Sequence, residues 1–194
     1  MTDVVLATRN DGKLKEMQTL FAPLGFKFSS QKDHDLPSVP ETGKTFVENA
    51  LIKAHYAAGA TGQPAIADDS GLVVPALNGQ PGIYSARYAG EDATDADNNA
   101  KLLDMLKDSG AEVPAYFYCA MVYVAHGEDP TPHIATAAWH GAIIESPRGA
   151  NGFGYDPLFL VQGMNVTSAE LPATEKNAIS HRGQACQQLL NLLS

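Results

Sequence analysis

The sequence predicts an α/β protein, and three observations carry the prediction. A strand-like run near the start, Val-Val-Leu-Ala-Thr, abuts a stretch with helical apolar periodicity. The middle of the chain is rich in aromatic and β-branched residues of strand character. Helical patterns recur between and after these runs. At 194 residues the chain suits one domain, or two lobes sharing one sheet, with a substantial core.

The first element pair is "VVLATRNDGKLKEMQTLF", a strand and a helix joined at "RNDGK". "ETGKTFVENALIKAHYAAGA" reads as a second helix whose apolar stripe is Phe46, Val47, Ala50, Leu51, Ala54 and Ala58, ending near Gly59 and Gly62. "PAIADDSGLVVPAL" reads as two short strands meeting at a turn, and "GIYSARYAGEDA" as a loop. "DATDADNNAKLLDMLKDSG" makes a third helix; it lacks the glycine and closing glutamate of a calcium loop, so Thr94 and Asp97 are taken as its cap. "AYFYCAMVYVAH" and "HIATAAWHGAIIE", parted by the polar "GEDPTP", suggest an antiparallel pair. The Gly-rich "SPRGANGFGYDP" leads to a short strand, "LFLV". "SHRGQACQQLLNLLS" is a last helix, apolar at Ala185, Cys186, Leu189, Leu190 and Leu193, with Ser180 as N-cap.

With 22 acidic against 13 basic residues the net charge is -9, which argues against a nucleic-acid or anionic-membrane surface. A phosphate partner must be gripped locally. The start "MTDVVLATRN" has no apolar signal core, and no apolar run nears the roughly 18 residues that span a bilayer, so a soluble, cytoplasmic protein is expected. Cys119 and Cys186 fit neither metal spacing nor a disulfide framework and read as packing thiols.

Five stretches carry candidate chemistry. Arg9, Lys13 and Lys15 crowd a helix start that is already positive, which points to an anion held there by backbone N–H groups. The bland alternative is an ordinary Asn10-Asp11-Gly12 turn with solvated lysines. In "IADDSG", adjacent Asp68 and Asp69 at the end of a buried strand call for a cation, and hard oxygens suit Mg²⁺; a turn with Asp69 or Ser70 bonding nearby backbone is the alternative. Glu41, Thr45, Asn49 and Lys53 lie four apart and form one polar stripe if the helix reaches back that far, bordering either a cleft or plain solvent. His181 and Arg182 in the first turn of the last helix repeat the first pattern, and in "NGFGYDP" Phe153 and Tyr155 either offer faces for a flat base or plug the core.

Taken in order, "TRNDGK", "ETGKTFVENALIKA", "IADDSGL", "PGIYSARYAG", "GFGYDPLF" and "EKNAISHRG" resemble the inosine triphosphate pyrophosphatase family, nearly end to end. The resemblance implies a single ITPase-like domain over residues 1–194. It would be a long mixed central sheet in two lobes flanked by helices, with the substrate cleft between the lobes. It implies Mg²⁺-dependent hydrolysis of aberrant purine nucleoside triphosphates (ITP, dITP, XTP) to the monophosphate and pyrophosphate, by a homodimer. Carried over by motif, Thr8, Arg9, Asn10, Asp11, Gly12 and Lys13 would hold the triphosphate with help from Lys53. Glu41, Asp68 and Asp69 would bind Mg²⁺ directly or through water, Asp69 also being the proton acceptor. Ser70 would contact substrate. Phe153, Gly154, Tyr155, Asp156, Lys176, His181 and Arg182 would form the nucleoside pocket. Arg9 departs from the glycine that many relatives carry. Two other readings stay open at this level: a nucleotide-sensing module without turnover, and a phosphomonoesterase with an aspartate nucleophile, though "DDSG" lacks the spaced Asp-x-Asp of the latter.

Overall fold

Strand and helix alternate from the start: β1 (Asp3–Leu6), α1 (Asp11–Phe21), β2 (Lys27–Ser30), α2 (Phe46–Thr61) and β3 (Ala65–Val73). Then follow α3 (Asp95–Leu106), the long strands β4 (Glu112–Val124) and β5 (His133–Ile144), β6 (Phe159–Val161), α4 (Ala173–Ile179) and α5 (His181–Leu193). The structure is a computed structural model that describes residues 3–9, 11–22 and 25–194. Asn10 and the side chain of Asp11, both expected in the phosphate loop, lie outside the described residues.

The six strands form one sheet in the order β2-β1-β3-β4-β5-β6. β1 pairs in parallel with both β2 and β3, whereas β5 and β6 are antiparallel, so the sheet is mixed and the α/β expectation is borne out. Parallel neighbours need crossovers, and α1 and α2 are those between β1, β2 and β3.

Contacts divide the chain into two units. The first comprises Met1–Asp69, Cys119–Ala137 and Arg182–Ser194, and the second Ser70–Tyr118 and Ala138–His181. In the first, Met17 and Phe21 of α1 and Ala185, Cys186 and Leu189 of α5 share a core with Ile66 of β3. In the second, Leu102 of α3 packs with Phe117, Trp139, Leu158 and Phe159. The stripe expected on the last helix is therefore the buried one, with Leu193 partly buried at its end. Both cysteines are buried and neither is in a disulfide, as packing thiols should be. Among the described residues no helix is long and apolar enough to cross a membrane.

Three elements differ from the sequence expectation. "AIADDSGLV" is one continuous strand, not two strands broken at a turn. Its turn-forming residues are overruled by partners: Asp69 is held by Lys53 and Asn49, and Gly71 lies so close to the Gly82 carbonyl that an added Cβ would sit 2.4 Å from it. α2 begins at Phe46 rather than at Glu41, because Thr45 and Glu48 close a capping box in which each side chain takes the other's backbone N–H. The expected loop at Gly82–Arg87 is a short 3₁₀ helix. The Thr94–Asp97 cap of α3 is present as expected.

Gly141 of β5 faces Val161 of β6, and a Cβ there would lie 2.3 Å from the Leu160 carbonyl and 2.7 Å from the Phe159 ring. Neither neighbour has room to retreat, one being ladder backbone and the other a core ring. Gly141→Ala should therefore destabilise the fold by about 1–3 kcal/mol, the usual cost of overpacking. Denaturant melts read it directly, and an unchanged midpoint would refute the close approach.

Candidate active site

Successive side chains of a strand point to opposite faces. Asp68 and Asp69 therefore part company at once, and the structure gives each its own cations. Asp68 shares the parity of Ile66, whose side faces α1 and α5, and there it accepts from Lys13 Nζ at 3.0 Å and from Arg182 Nε at 3.4 Å. Asp69 turns to α2, where Lys53 Nζ donates at 3.0 Å and Asn49 Nδ2 at 3.3 Å. Each carboxylate thus has its own side-chain partners on its own face of the strand.

Lys53 serves a second acid, since its Nζ also lies 2.9 Å from Glu41 Oε1. Glu41 is thus brought to the cluster by the non-helical segment ahead of α2, not by the helical stripe that spacing suggests. Asn49, wholly buried, is what fixes that segment: its Oδ1 accepts from the Gly43 N–H at 2.8 Å while its amide reaches Asp69. Its place in the four-residue period was visible, but its tie to Gly43 was not.

Burial raises the pKa of Asp69 above the ordinary aspartate value, and Glu41 adds to the shift despite the attraction of Lys53. Burial pushes Asp68 the same way, yet Lys13, Arg182 and Lys53 outweigh it and hold that carboxyl well below the usual range. Lys53 loses by desolvation but gains more from Asp69, Asp68 and Glu41, so its charge is favoured. One aspartate is a fixed anion; its neighbour is primed to take a proton.

Among the described residues no group of three or more His, Cys, Asp or Glu is gathered as a metal cage. Glu41 and Asp69 nonetheless converge on a single atom, Lys53 Nζ, while the Oδ2 of Asp68 is engaged by two cations. Mg²⁺ is commonly held by one or two carboxylates and completed by phosphate oxygens and water. The Glu41–Asp69 pair fits that pattern; Asp68 fits it less well.

Near the start of α1, the Ala7 N–H joins the Ile66 carbonyl of β3 at 2.8 Å and the Thr8 N–H turns back to Leu6 at 2.8 Å. Arg9 is exposed, and its guanidinium donates to the Leu36 carbonyl at 2.6 Å. Gly12 and Lys13 lie in the first turn of α1. Ser70 follows the aspartates on β3, partly buried.

In the second unit Asp156 organises the Gly-rich loop. Its buried carboxylate accepts from Phe153 N–H at 2.9 Å, Ser168 Oγ at 2.8 Å and Lys176 Nζ at 2.5 Å. The two aromatics of the loop separate. The Phe153 ring is 47 % exposed with the Lys176 ammonium 5.4 Å from its centroid, whereas Tyr155 is 4 % exposed in the core and donates its hydroxyl to the Ser85 carbonyl at 2.8 Å. Tyr155 is thus the core plug, and Phe153 stays at the surface beside Lys176. The His181 ring lies nearly parallel to Phe117, with centroids 4.9 Å apart at 12°, and also stacks on Trp139. The contact of His181 with Phe117 of β4 and Trp139 of β5 was not legible, because those strands read only as core.

The chain as a whole resembles known proteins in sequence and fold. The Ham1 family pattern matches residues 4–192. The chain is 54 % identical to the dITP/XTP pyrophosphatase of Shigella flexneri over 194 residues, covering 100 % of this chain and 98 % of that one. It is 52 % identical to the dITP/XTP pyrophosphatase of Escherichia coli (strain K12), with the same coverage. The structure of a HAM1 protein from Coxiella burnetii matches with a TM-score of 0.94 at 50 % identity, over 100 % of this chain and 98 % of that one. The Staphylococcus aureus Ham1 protein matches with a TM-score of 0.88 at 39 % identity, over 99 % and 98 %. Sequence, fold and end-to-end coverage agree, and the chain belongs to the Ham1 family.

Proposed function

We propose that this chain hydrolyses ITP, dITP and XTP to the nucleoside monophosphate and pyrophosphate. Relatives of the chain bear the name dITP/XTP pyrophosphatase. The observation that carries the reading is the unlike pair on β3, with Asp68 fixed as an anion and Asp69 desolvated beside Lys53. Asp69 accepts the proton of a water that attacks the α-phosphorus. The α–β bridging P–O bond breaks, and the electron pair leaves on pyrophosphate. Lys13 and Lys53 stabilise charge on the leaving group by position alone. Glu41 and Asp69 would hold Mg²⁺, with Asp68 behind them; when bound it neutralises phosphate charge and acidifies water.

The phosphate chain is assigned to Thr8, Arg9, Asn10, Asp11, Gly12 and Lys13, where the N–H groups at the α1 start favour an anion. Ser70 is assigned a contact to substrate. The base is assigned to Phe153, Gly154, Tyr155, Asp156, Lys176, His181 and Arg182. Phe153 supplies a face, and Tyr155 supports the loop from the core. Charged Lys176 and Arg182 only donate hydrogen bonds, which suits a 6-oxo purine over the 6-amino group of adenine. Arg182 also donates to Asp68, so its loss disturbs the carboxylate cluster as well. The same reading takes residues 1–194 as one domain and the active species as a cytoplasmic homodimer.

The decisive experiment incubates the protein with Mg²⁺ and ITP, XTP, GTP or ATP, assaying pyrophosphate and orthophosphate separately. Pyrophosphate from ITP and XTP, well above GTP and ATP, is expected. Orthophosphate alone would overturn the cleavage site, and binding without product would make the chain a sensor.

Two further outcomes follow from Asp69. In the metal-free protein Asp69 should titrate above the ordinary aspartate value of about 3.9, because burial disfavours its charged form; the pH dependence of its side-chain carboxyl NMR shift reads this. A midpoint below that value would contradict the desolvation. The linkage sign is also fixed: a folded pKa raised above the unfolded one means the ionised carboxylate costs the fold, and the cost is present above the folded pKa. Asp69→Asn should therefore melt no lower than wild type at pH 7 while losing about a hundredfold in kcat. A variant both unstable and active would reverse the argument.

A further inference from the structure

We infer that Asp95 and Asn99 of α3 are positioning residues for the base-binding loop, acting through the backbone of Gly154. The inference rests on the assignment of Phe153 and its neighbours to the base. The Gly154 N–H donates to Asp95 Oδ2 at 2.7 Å, and Asn99 Nδ2 donates to the Gly154 carbonyl at 3.0 Å. Both polar groups of one residue are thus gripped by one helix. Asp95 and Asn99 are four apart, so they share a helix face and reach the loop together.

The helix doing the gripping is itself fixed. Its start is closed by the Thr94–Asp97 capping box. Beside the grip, buried Asn98 accepts from the Ala89 N–H at 2.8 Å and donates to the Ala86 carbonyl at 3.1 Å. Leu102 and Leu106 seat the same helix in the core. Gly154 has φ +62°, a left-handed conformation that side chains disfavour, with nothing within 4 Å of an added Cβ. No packing at the Cβ position holds the backbone there, so the two hydrogen bonds specify the peptide orientation.

The consequence falls on Phe153. Its own N–H is bound by Asp156, and the next residue is bound at both ends by α3. A half-exposed ring whose backbone is fixed on both sides loses little freedom when a base stacks on it, which improves binding without a new contact to substrate. The competing account makes Asp95 a helix stabiliser only, an acid in the first turn of α3 favourable to the macrodipole.

Hydrogen-bond direction separates the two accounts. Gly154 N–H needs an acceptor, which an asparagine retains at position 95; the Gly154 carbonyl needs a donor, which an aspartate lacks at position 99. Asp95→Ala and Asn99→Asp should each raise KM for ITP about tenfold with kcat changed less than about threefold, and Asp95→Asn should recover most of the loss. Hydrogen exchange at the Gly154 amide, measured without substrate, should quicken in Asp95→Ala and return toward wild type in Asp95→Asn. Equal KM values for Asp95→Ala and Asp95→Asn, or unaltered Gly154 exchange in Asp95→Ala, would overturn the inference. Wild-type protein inert toward ITP would instead sink the functional reading, and the clamp would then be judged on Gly154 exchange alone.

Discussion

Two carboxylates on consecutive residues of a buried strand are the constraint around which the first unit is built. A desolvated carboxylate costs several kcal/mol unless paired, and strand geometry forbids Asp68 and Asp69 from sharing one partner on one face. Each face of β3 must therefore supply its own cation. α1 brings Lys13 and α5 brings Arg182 to Asp68; α2 brings Lys53 to Asp69. The inequality between the two sides, two full charges against one shared with Glu41, is what separates their proton affinities.

The second unit solves a different problem with the same economy. A loop rich in glycine must keep one aromatic ring at the surface without collapsing onto the core. Asp156 ties the loop to α4 through Lys176, Tyr155 plugs it into the core, and α3 holds Gly154. An alanine at Gly152 would put its Cβ 2.0 Å from the Asp156 carboxylate, so backbone and acid are packed against each other there. Buried polar groups of this kind stabilise only when all are satisfied, and the three acceptances at Asp156 meet that condition.

Much of this was legible in the sequence, for identifiable reasons. The stripe of α5 read correctly because burial repeats every turn, as at Ala185, Cys186 and Leu189, whereas on α2 Ala50, Ala54 and Ala58 are buried but Phe46, Val47 and Leu51 only partly so. The capping pair Thr94 and Asp97 read correctly because the signal is local. What failed was turn chemistry under tertiary control: "DDSG" is a turn by propensity, yet Lys53 and Asn49 hold it straight. The four-residue period holds for Asn49 and Lys53 but not back to Glu41, which lies ahead of α2 and reaches Lys53 from a non-helical segment. Long-range partners such as Asn49 with Gly43 and Asp95 with Gly154 leave no mark in spacing, because the chain path that unites them is set by packing elsewhere.

The lysines explain how a chain of net charge -9 can be a match for a polyanion. The cluster's ion pairs answer Glu41, Asp68 and Asp69 with Lys13, Lys53 and Arg182, so no surplus of positive charge stands in a largely buried place. On the function proposed above, a phosphate reaching Lys13 or Lys53 would compete with a carboxylate for the same ammonium protons. One anion then replaces another, and the lysine is not desolvated afresh, because its burial has already been offset by the acid it leaves. On the same proposed function, the displaced acid would be a hard oxygen donor beside the phosphates, the ligand type that suits Mg²⁺. A cluster balanced in this way attracts little at long range and discriminates at contact, since only an anion of the right reach recovers the hydrogen bonds it breaks.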